Sequence, residues 1–425
     1  MRDTKRPRVD ASRATNHPNN ATVPVNRYAG YALTPGATID RVDARCVTAS
    51  ELDERYVSTR RPVVLTGVFE RGSDLRGAAS WTDAFLRTRC GGGEATHRVE
   101  TRNASAGERF GLGKYRSMTF DAFMDKFEAG DGGWYLSAGG KSGAFDAPAS
   151  ALVTTDADAA SEGLLPLRPT SIPESLVPAD INLWMGRSGG APTSSGLHHD
   201  YHDNVYVLAR GEKRFKVFSP LDAERMYTVG EIRVVHENGL INYKGSPATL
   251  QDGDYALDNG ESALEFRRRE ARGDDNDGGD ESADDDHDDD DDFADFDGVD
   301  DYDELNETPP ESESDESEGE DVGEDGGKTL TDKSDPPSFS RVDYERLDEF
   351  PLFKGAIPME FTVSAGEALY LPAGWFHDVS SQETGSGHVA FNYWFHPPPL
   401  GARHALWTED FQRSIVEKKF TRVAR

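Results

Sequence analysis

The sequence predicts a mainly β fold, a closed or sandwiched β-barrel behind a helical N-terminal layer. Two observations carry this prediction. From Ile181 onward, short β-branched and aromatic runs alternate with turn residues, as in INLWMG, NVYVLAR and KRFKVFSP. Before that point, two stretches place apolar residues at helical spacing. A dense series of short strands is typical of barrels and sandwiches.

The chain begins with a segment that we do not expect to fold. Residues 1–28 are polar, rich in Pro and Asn and without periodicity, which predicts a disordered tail. Order then begins near Tyr28. The β-branched run RPVVLTGVF (61–69), closed by a Gly turn, predicts a buried strand, and WYLSAG (134–139) predicts another.

Two helices are expected in the N-terminal layer. WTDAFLRTRC (81–90) and SMTFDAFMDKFEAG (117–130) both carry apolar residues at helical spacing. In the second, Ser117 or Thr119 is a candidate N-cap, because a hydroxyl oxygen accepts a hydrogen bond from the first free backbone N–H groups. Gly130 is the expected stop.

The C-terminal half continues the strand pattern after a longer loop at 226–245. Strands are expected in AIPMEFTVSAGEALYLPAGWFHDVSS (356–381) and in HVAFNYWFHPP (388–398). The last segment, HALWTEDFQRSIVEKKF (404–420), has apolar residues at helical spacing and predicts a C-terminal amphipathic helix. Its apolar stripe packs either on the barrel or on a second subunit, so a homodimer stays open.

An acidic stretch interrupts the strand series and carries most of the net charge. The chain has 425 residues and a net charge of -32, and residues 261–340 hold 34 Asp and Glu against 6 Lys and Arg. Low hydrophobicity and like-charge repulsion do not offset the entropy of ordering, so this insert should be disordered. Since a long loop costs little more to close than a short one, we expect one domain built from 29–260 and 341–425.

Composition excludes several classes of protein. Only two cysteines occur, Cys46 and Cys90, which gives no basis for a disulfide framework or a thiolate metal cluster and favours a reduced compartment. The N-terminus lacks the apolar run of a signal peptide, and no window approaches the roughly 18 apolar residues of a membrane span. We expect an intracellular protein, nuclear or cytoplasmic, and the basic cluster at 5–8 is a candidate nuclear signal.

A histidine-rich stretch, GLHHDYHDN (196–204), predicts a metal site. Alternate residues of a strand face the same way, so His198 and Asp200 can direct two ligands at one ion. His377, placed by a Pro/Gly turn after an apolar strand, is the candidate third ligand. Two histidines and one carboxylate leave coordination positions open and suit Fe(II) oxygenases. A single histidine is more often structural, so the three together carry the prediction.

A lysine on an apolar face strengthens this interpretation. In KRFKVF, Lys213 shares a face with Phe215 and Val217, while Arg214 and Lys216 take the other face. An inward lysine is costly unless it meets an anion, and no acidic residue is obviously available. A small carboxylate ligand is therefore the natural candidate. The alternative is an edge-strand lysine that extends to solvent.

These motifs, taken in order, resemble the JmjC-type, cupin-like Fe(II)/2-oxoglutarate oxygenases. The resemblance rests on SSGLHHDYHDNVYVLARGEKRFKVFSP, SAGEALYLPAGWFHDVSS and HVAFNYWFHPP, and it covers most of the chain outside the tail and the acidic insert. It implies a double-stranded β-helix core, the jelly-roll of the cupins. It also implies that His198, Asp200 and His377 ligate Fe(II), with 2-oxoglutarate and O2 as cosubstrates.

The resemblance extends to the cosubstrate site. It implies that Lys213 pairs with the distal carboxylate of 2-oxoglutarate, and that Ser195 and Tyr135 add hydroxyl hydrogen bonds to the same carboxylate. Asn204 and Asn392 occupy the positions where the family places amides beside the cosubstrate.

The implied activity is hydroxylation of a protein side chain, with succinate and CO2 as coproducts. The same site in the family also demethylates N-methyl-lysine or N-methyl-arginine, including histone residues, so the metal motif does not choose. The sequence has no Cys/His zinc modules, which favours the small hydroxylase branch. A silent cupin that serves as an acidic binding module stays open, as does a general cupin isomerase or dioxygenase. The acidic insert predicts basic protein or peptide partners and argues against direct nucleic-acid binding.

Overall fold

The computed structural model describes residues 25–101, 114–139, 148–154, 162–188, 193–251, 253, 336–382 and 385–400. The predicted C-terminal helix, the body of the acidic insert and residues 1–24 of the predicted tail lie outside these ranges. Strands predominate in the described residues, as the sequence predicts. They are β1 Val25–Asn26, β2 Asp40–Asp43, β3 Val63–Thr66, β4 Thr96–Thr101, β5 Lys114–Thr119, β6 Trp134–Gly139, β7 Val153–Thr154, β8 Leu165–Pro166, β9 Val177–Gly186, β10 Thr193–Ser194, β11 His198–His199, β12 Asp203–Arg210, β13 Glu212–Phe218, β14 Ile232–Val235, β15 Ile241–Tyr243, β16 Pro358–Ser364, β17 Glu367–Leu371, β18 Phe376–Gln382 and β19 His388–His396.

The described helices are short, and the α-helices all precede β6. They are α1 Ala49–Leu52, α2 Asp83–Cys90 and α3 Phe120–Glu128. A π-helical turn covers Asp53–Val57, and 3-10 turns cover Arg76–Ser80, Ala149–Leu152, Pro220–Met226, Leu347–Glu349 and Pro351–Gly355. The predicted helix at 81–90 is confirmed as α2, with the Thr82 side chain accepting a hydrogen bond from the Phe85 N–H. Among the described helices, none is long and apolar enough to cross a membrane.

Helix α3 begins later than the sequence predicts. Residues 117–119 belong to β5, which pairs antiparallel with β4, so their backbone groups are committed to a sheet. Of the two candidate caps, Thr119 is the N-cap, and its Oγ1 accepts from the Ala122 N–H at 3.3 Å. Gly130 follows the helix at φ +79°, a left-handed conformation that favours glycine.

Two sheets face each other and form the predicted jelly-roll core. The larger sheet has the order β2-β3-β17-β12-β19-β9-β6-β4-β5. The smaller has the order β10-β18-β13-β16, with β11 also paired to β18. The ring of Tyr206 on β12 meets the ring of Phe215 on β13 edge to face, with centroids 5.7 Å apart. The interior of the barrel therefore lies between these two strands.

Strands from both sides of the acidic stretch are neighbours in these sheets. In the larger sheet, β12 lies between β17 and β19. In the smaller sheet, β13 lies between β16 and β18. Because β12 and β13 precede the stretch and β16 to β19 follow it, the two parts of the chain build one barrel.

The helical layer covers the outer face of the larger sheet. Leu86 of α2 and Phe123 of α3 belong to the same buried apolar cluster as Val205 and Val207 of β12. Full burial of one such side chain contributes about 1.5–3 kcal/mol. Val205 and Val207 thus face the helical layer, while the alternate residues Tyr206 and Leu208 of β12 face Phe215, where a second apolar cluster lies.

Three parts of the sequence prediction need correction. The loop expected at 226–245 contains the antiparallel hairpin β14–β15. Residues 25–26, assigned to the disordered tail, form strand β1, whose backbone pairs with β14. Residues 336–340, assigned to the disordered insert, have defined backbone partners on the barrel, including the Leu197 carbonyl.

Candidate active site

Two neighbouring strands bring the candidate histidine ligands side by side. His198 on β11 pairs directly with His377 on β18, and their ring centroids are 4.3 Å apart. Each Nδ1 lies 2.9 Å from a backbone carbonyl oxygen, that of Gly196 for His198 and that of Trp375 for His377. An Nδ1–H that donates to a carbonyl leaves Nε2 as the ligand atom, so both imidazoles are oriented for one ion.

Asp200 completes a group of three candidate ligands. Its carboxylate oxygens lie 3.9 Å from Nε2 of His198 and 3.7 Å from Nε2 of His377. The candidate ligand atoms of all three residues lie within 4.8 Å of one another. The structure thus brings together the three ligands that the sequence predicts.

A tight turn holds Asp200 against the loop that leads to His377. The N–H of Gly374 donates to the Asp200 carbonyl at 2.9 Å. Gly374 has φ +76°, and a β-carbon there would lie 1.8 Å from the carbonyl oxygen of Gly239. Only glycine fits this turn, which explains the Pro/Gly sequence just before His377.

Burial favours the neutral form of the His198 imidazole. It lowers the pKa of His198 well below its ordinary value, and the neighbouring His377 lowers that pKa further. The adjacent His199 does not join the group, since its Nε2 lies 2.7 Å from the hydroxyl of Tyr243. Burial lowers the pKa of His199 to about 4. Neutral imidazole is the form that binds a metal, so His198 needs no deprotonation near pH 7.

Lys213 lies deep between the sheets, as its place on the apolar face predicts. It is 4% exposed, and its Nζ donates to the Ser381 hydroxyl at 2.5 Å and lies 5.7 Å from the ring centroid of Tyr135. Among the described residues no carboxylate pairs with it, and burial lowers its pKa to about 7. A buried lysine without a counter-charge is well suited to bind an anion.

Polar and aromatic side chains continue from Lys213 along the interior of the larger sheet. Tyr135 packs on Trp184 with ring centroids 6.2 Å apart, and Trp184 Nε1 donates to Asn392 Oδ1 at 2.7 Å. Asn204, on the neighbouring β12, is 8% exposed, and its Oδ1 has no hydrogen-bond partner within the described ranges. The predicted cosubstrate residues Tyr135, Asn204 and Asn392 are therefore all on strands of this sheet.

Ser195 differs from the other predicted cosubstrate residues. Its hydroxyl donates to the Gly196 carbonyl and accepts from the Val379 N–H, both at 3.1 Å. These bonds attach the chain before His198 to β18. The hydroxyl that contacts Lys213 belongs to Ser381 instead, and the contact of Ser195 with a cosubstrate stays a prediction.

Two buried polar residues of this interior were not predicted. Ser381 lies four residues after His377 on β18, so strand alternation places both on one face, and that signal could have found it. Asn182 on β9 is 4% exposed and pairs directly with Asn392 on β19. No local sequence signal identifies Asn182, because its position follows from a strand register across more than two hundred residues.

The side chains present fit Fe(II) and an oxygen-rich cosubstrate. Two imidazoles and one carboxylate form the ligand set of non-haem Fe(II) oxygenases. Buried polar atoms on strands of the larger sheet, among them Asn182 Nδ2, Asn204 Oδ1 and Trp394 Nε1, have no hydrogen-bond partner within the described residues. Buried polar atoms in native proteins normally have partners, so these groups fit a polar ligand bound between the sheets.

Comparison with known families identifies this architecture. The Cupin-like domain family matches residues 49–401, which include the three candidate ligands and Lys213. The chain belongs to this family. Its membership confirms the predicted cupin fold and the resemblance to JmjC proteins. The JmjC proteins of the Cupin-like domain family are Fe(II)- and 2-oxoglutarate-dependent oxygenases.

Several proteins are similar to this chain. JmjC domain-containing protein 4 of Schizosaccharomyces pombe is 29% identical over 453 residues, covering 94% of this chain and 92% of that protein. Lysine-specific demethylase JMJ32 of Arabidopsis thaliana is 26% identical over 220 residues, covering 51% of this chain and 42% of that protein. The human bifunctional peptidase and (3S)-lysyl hydroxylase JMJD7 is 43% identical over 49 residues, 12% of this chain and 15% of that protein.

Proposed function

We propose that this protein is an Fe(II)- and 2-oxoglutarate-dependent oxygenase that hydroxylates a protein side chain. The observation that carries the proposal is a His–Asp–His group beside a buried lysine, on neighbouring strands of one barrel; within the described part of the chain this lysine has no carboxylate partner. A barrel that only binds proteins, or that only binds a metal, has no need of an inward lysine. This observation therefore favours an oxygenase over a silent cupin and over a general cupin isomerase or dioxygenase.

Each side chain has a distinct role in this proposal. His198, Asp200 and His377 hold Fe(II), and Lys213 with the Ser381 hydroxyl binds the distal carboxylate of 2-oxoglutarate. With both groups bound, O2 gives one oxygen atom to succinate and one to a substrate C–H bond, and CO2 leaves. The barrel contributes orientation and the exclusion of water, since Lys213 and His377 are buried and His198 is half-buried.

Demethylation by the same site is the second candidate. The similarity to the Arabidopsis protein named as a lysine-specific demethylase supports it. The local similarity to the human protein named as a lysyl hydroxylase, and the absence of zinc modules from the sequence, favour hydroxylation. Incubation with Fe(II), 2-oxoglutarate and peptide libraries, followed by mass spectrometry, separates the two. Hydroxylation adds one oxygen atom to an unmethylated peptide, whereas demethylation removes a methyl group and releases formaldehyde.

Lys213→Ala should abolish 2-oxoglutarate binding. Calorimetric titration into protein loaded with Mn(II), an inert substitute for iron, measures this directly. The variant loses the buried, charge-assisted pair between the lysine and the distal carboxylate. We expect a loss of about 3 kcal/mol in binding free energy, so the affinity for 2-oxoglutarate should fall by at least about 100-fold. Lys216→Ala is the matched control. Lys216 is on the same strand but points to the other face, where its Nζ lies 3.7 Å from Oε1 of Glu360. Equal binding by both variants, or no binding by the parent protein, would refute the cosubstrate assignment.

Binding of 2-oxoglutarate should take up a proton above neutral pH. Burial lowers the pKa of Lys213 to about 7, so at pH 8 most of the ligand-free protein holds the neutral amine. An adjacent carboxylate favours the ammonium form, so affinity should fall by up to about tenfold per pH unit above pH 7. Calorimetry at pH 8 in buffers of different ionisation enthalpy should show uptake approaching one proton. Independence of the binding enthalpy from the buffer would contradict this protonation.

We also propose that the acidic insert attracts basic protein substrates. The stretch DDDHDDDDD (284–292) alone has eight carboxylates, and such a charge raises the encounter rate with basic segments while repelling nucleic acid. A fluorescent Lys/Arg-rich peptide should bind the protein at low salt and dissociate as ionic strength rises. Replacement of the eight aspartates by asparagine should weaken this binding. Unchanged binding by that variant would exclude residues 284–292 as the attracting element.

A further inference from the structure

A short segment that follows the acidic insert packs directly on a candidate metal ligand. We name residues 336–341 the strap. The phenyl ring of Phe339 stacks on the imidazole of His198, with centroids 4.8 Å apart and an interplanar angle of 13°. The backbones of the two residues also form an antiparallel bridge. Phe339 is half-buried and belongs to no named strand.

Hydrogen bonds fix the strap on both of its edges. On one edge, the Ser340 N–H donates to the Leu197 carbonyl at 2.8 Å, and the His199 N–H donates to the Ser338 carbonyl at 3.4 Å. On the other edge, the Val229 N–H donates to the Phe339 carbonyl at 2.7 Å. Because both edges are bonded, the position of the Phe339 ring is set by backbone as well as by its own packing.

The strap extends the sheet that carries the ligands. Strand β11 pairs with β18 through His198 and His377, and the strap pairs with β11 on the other side. Three contacts therefore constrain the imidazole of His198. Gly196 accepts from Nδ1 in the plane of the ring, His377 approaches one side, and Phe339 covers a face.

We infer that Phe339 is a positioning residue for the metal site, an inference that rests on the proposed function. Its ring holds the His198 imidazole in the plane that directs Nε2 toward Asp200 and His377. Stacked aromatic rings attract one another, which biases the orientation of the half-buried imidazole. The ring also keeps water from one face of the ligand. Phe339 touches the ligand and not the reacting atoms.

Phe339→Ala should weaken metal binding by about tenfold, the range seen when a partner that orients a ligand is lost. Titration of the full chain with Mn(II), without cosubstrate, measures the Kd. The visible absorption of the Co(II)-loaded protein should also change, because its bands report ligand geometry. Phe339→Tyr, which keeps a flat ring, should restore both the affinity and the spectrum.

Phe85→Ala is the matched control. Phe85 is also half-buried, but it lies on α2 in the helical layer on the far side of the larger sheet. Its truncation should leave metal affinity and the Co(II) spectrum unchanged. Parent-like affinity and spectrum in Phe339→Ala, or equal losses in both alanine variants, would overturn the positioning role alone. If the parent protein binds no metal at the triad, the proposed function fails with it.

Discussion

Asp200→Ala should remove metal binding and, with it, all oxygenase turnover. Asp200 is the carboxylate of the ligand group, with oxygens 3.9 and 3.7 Å from the two histidine Nε2 atoms. Loss of a residue that only orients a ligand costs about 10–100-fold in metal affinity, so loss of a ligand itself should cost more than about 100-fold. Mn(II) titration measures the affinity, and succinate formation measures the turnover.

Asp378→Asn is the control for that experiment. Asp378 is next to His377 in the chain, but its carboxylate accepts from the Ser194 hydroxyl at 2.5 Å and does not join the ligand group. We expect metal affinity within about twofold of the parent protein, because Asp378 lies outside the ligand group and solvent partly screens its charge. If Asp200→Ala binds Mn(II) as the parent protein does, the triad is not the metal site.

The site could be predicted wherever its signals are local in sequence. His198 and Asp200 alternate on one short stretch, and His377 follows an apolar strand and a Pro/Gly turn, so each ligand has its own signal. Lys213 could be predicted for the same reason, since strand alternation places it with two apolar residues. The prediction that these segments lie together depended on the resemblance to a known family, because strand alternation does not determine which strands are neighbours.

The strand registers determine the parts that sequence reasoning missed. Asn182 gains a role only because β9 pairs with β19. Phe339 was assigned to a disordered insert, because Pro and Ser surround it and the preceding residues are acidic. Its partner, His198, is more than a hundred residues away, and no periodicity links the two. Local composition predicts a disordered insert but does not mark where the chain rejoins the barrel.

A buried ion pair behind the site is another feature that only the fold reveals. Arg60 and Asp203 are both fully buried, and the guanidinium donates to both carboxylate oxygens at 2.7 and 2.5 Å. The same carboxylate accepts from the Tyr370 hydroxyl at 2.7 Å and from the Ala373 N–H at 2.9 Å. Ala373 begins the turn that leads to His377. Asp203 thus connects the strand after Asp200 to the loop before the third ligand.

The backbone of Arg60 shows how strongly this pair is held. Its φ is +56°, a left-handed conformation that costs a residue other than glycine about 1–2 kcal/mol. The Arg60 carbonyl accepts from Trp375 Nε1 at 3.1 Å, and the Arg60 Nε donates to the Asn238 carbonyl at 2.8 Å. These bonds compensate for the strain and tie the segment before β3 to the turn that leads to His377. The pair is therefore part of the support for the metal site.

Asp203→Ala should lower the free energy of unfolding by about 3–5 kcal/mol, because it leaves the Arg60 guanidinium buried without a counter-charge. Urea denaturation of the metal-free protein measures the loss. The double variant Arg60→Met/Asp203→Leu should be destabilised less than Asp203→Ala, since replacing a buried pair by apolar groups is often neutral. Glu360→Ala, which breaks the exposed pair with Arg214, should cost about 0–1 kcal/mol.

The order of these three variants in free energy of unfolding tests the cause of the destabilisation as well as its size. If the buried charge is the cause, the double variant regains stability that Asp203→Ala has lost. It should still bind Mn(II) more weakly than the parent protein, because the hydrogen bond from the Ala373 N–H is missing in both. If the double variant is less stable than Asp203→Ala, the lost packing and hydrogen bonds outweigh the cost of the unpaired charge. The attraction between Arg60 and Asp203 then stabilises the fold. If Asp203→Ala costs less than about 1 kcal/mol, the pair supports neither the fold nor the turn before His377.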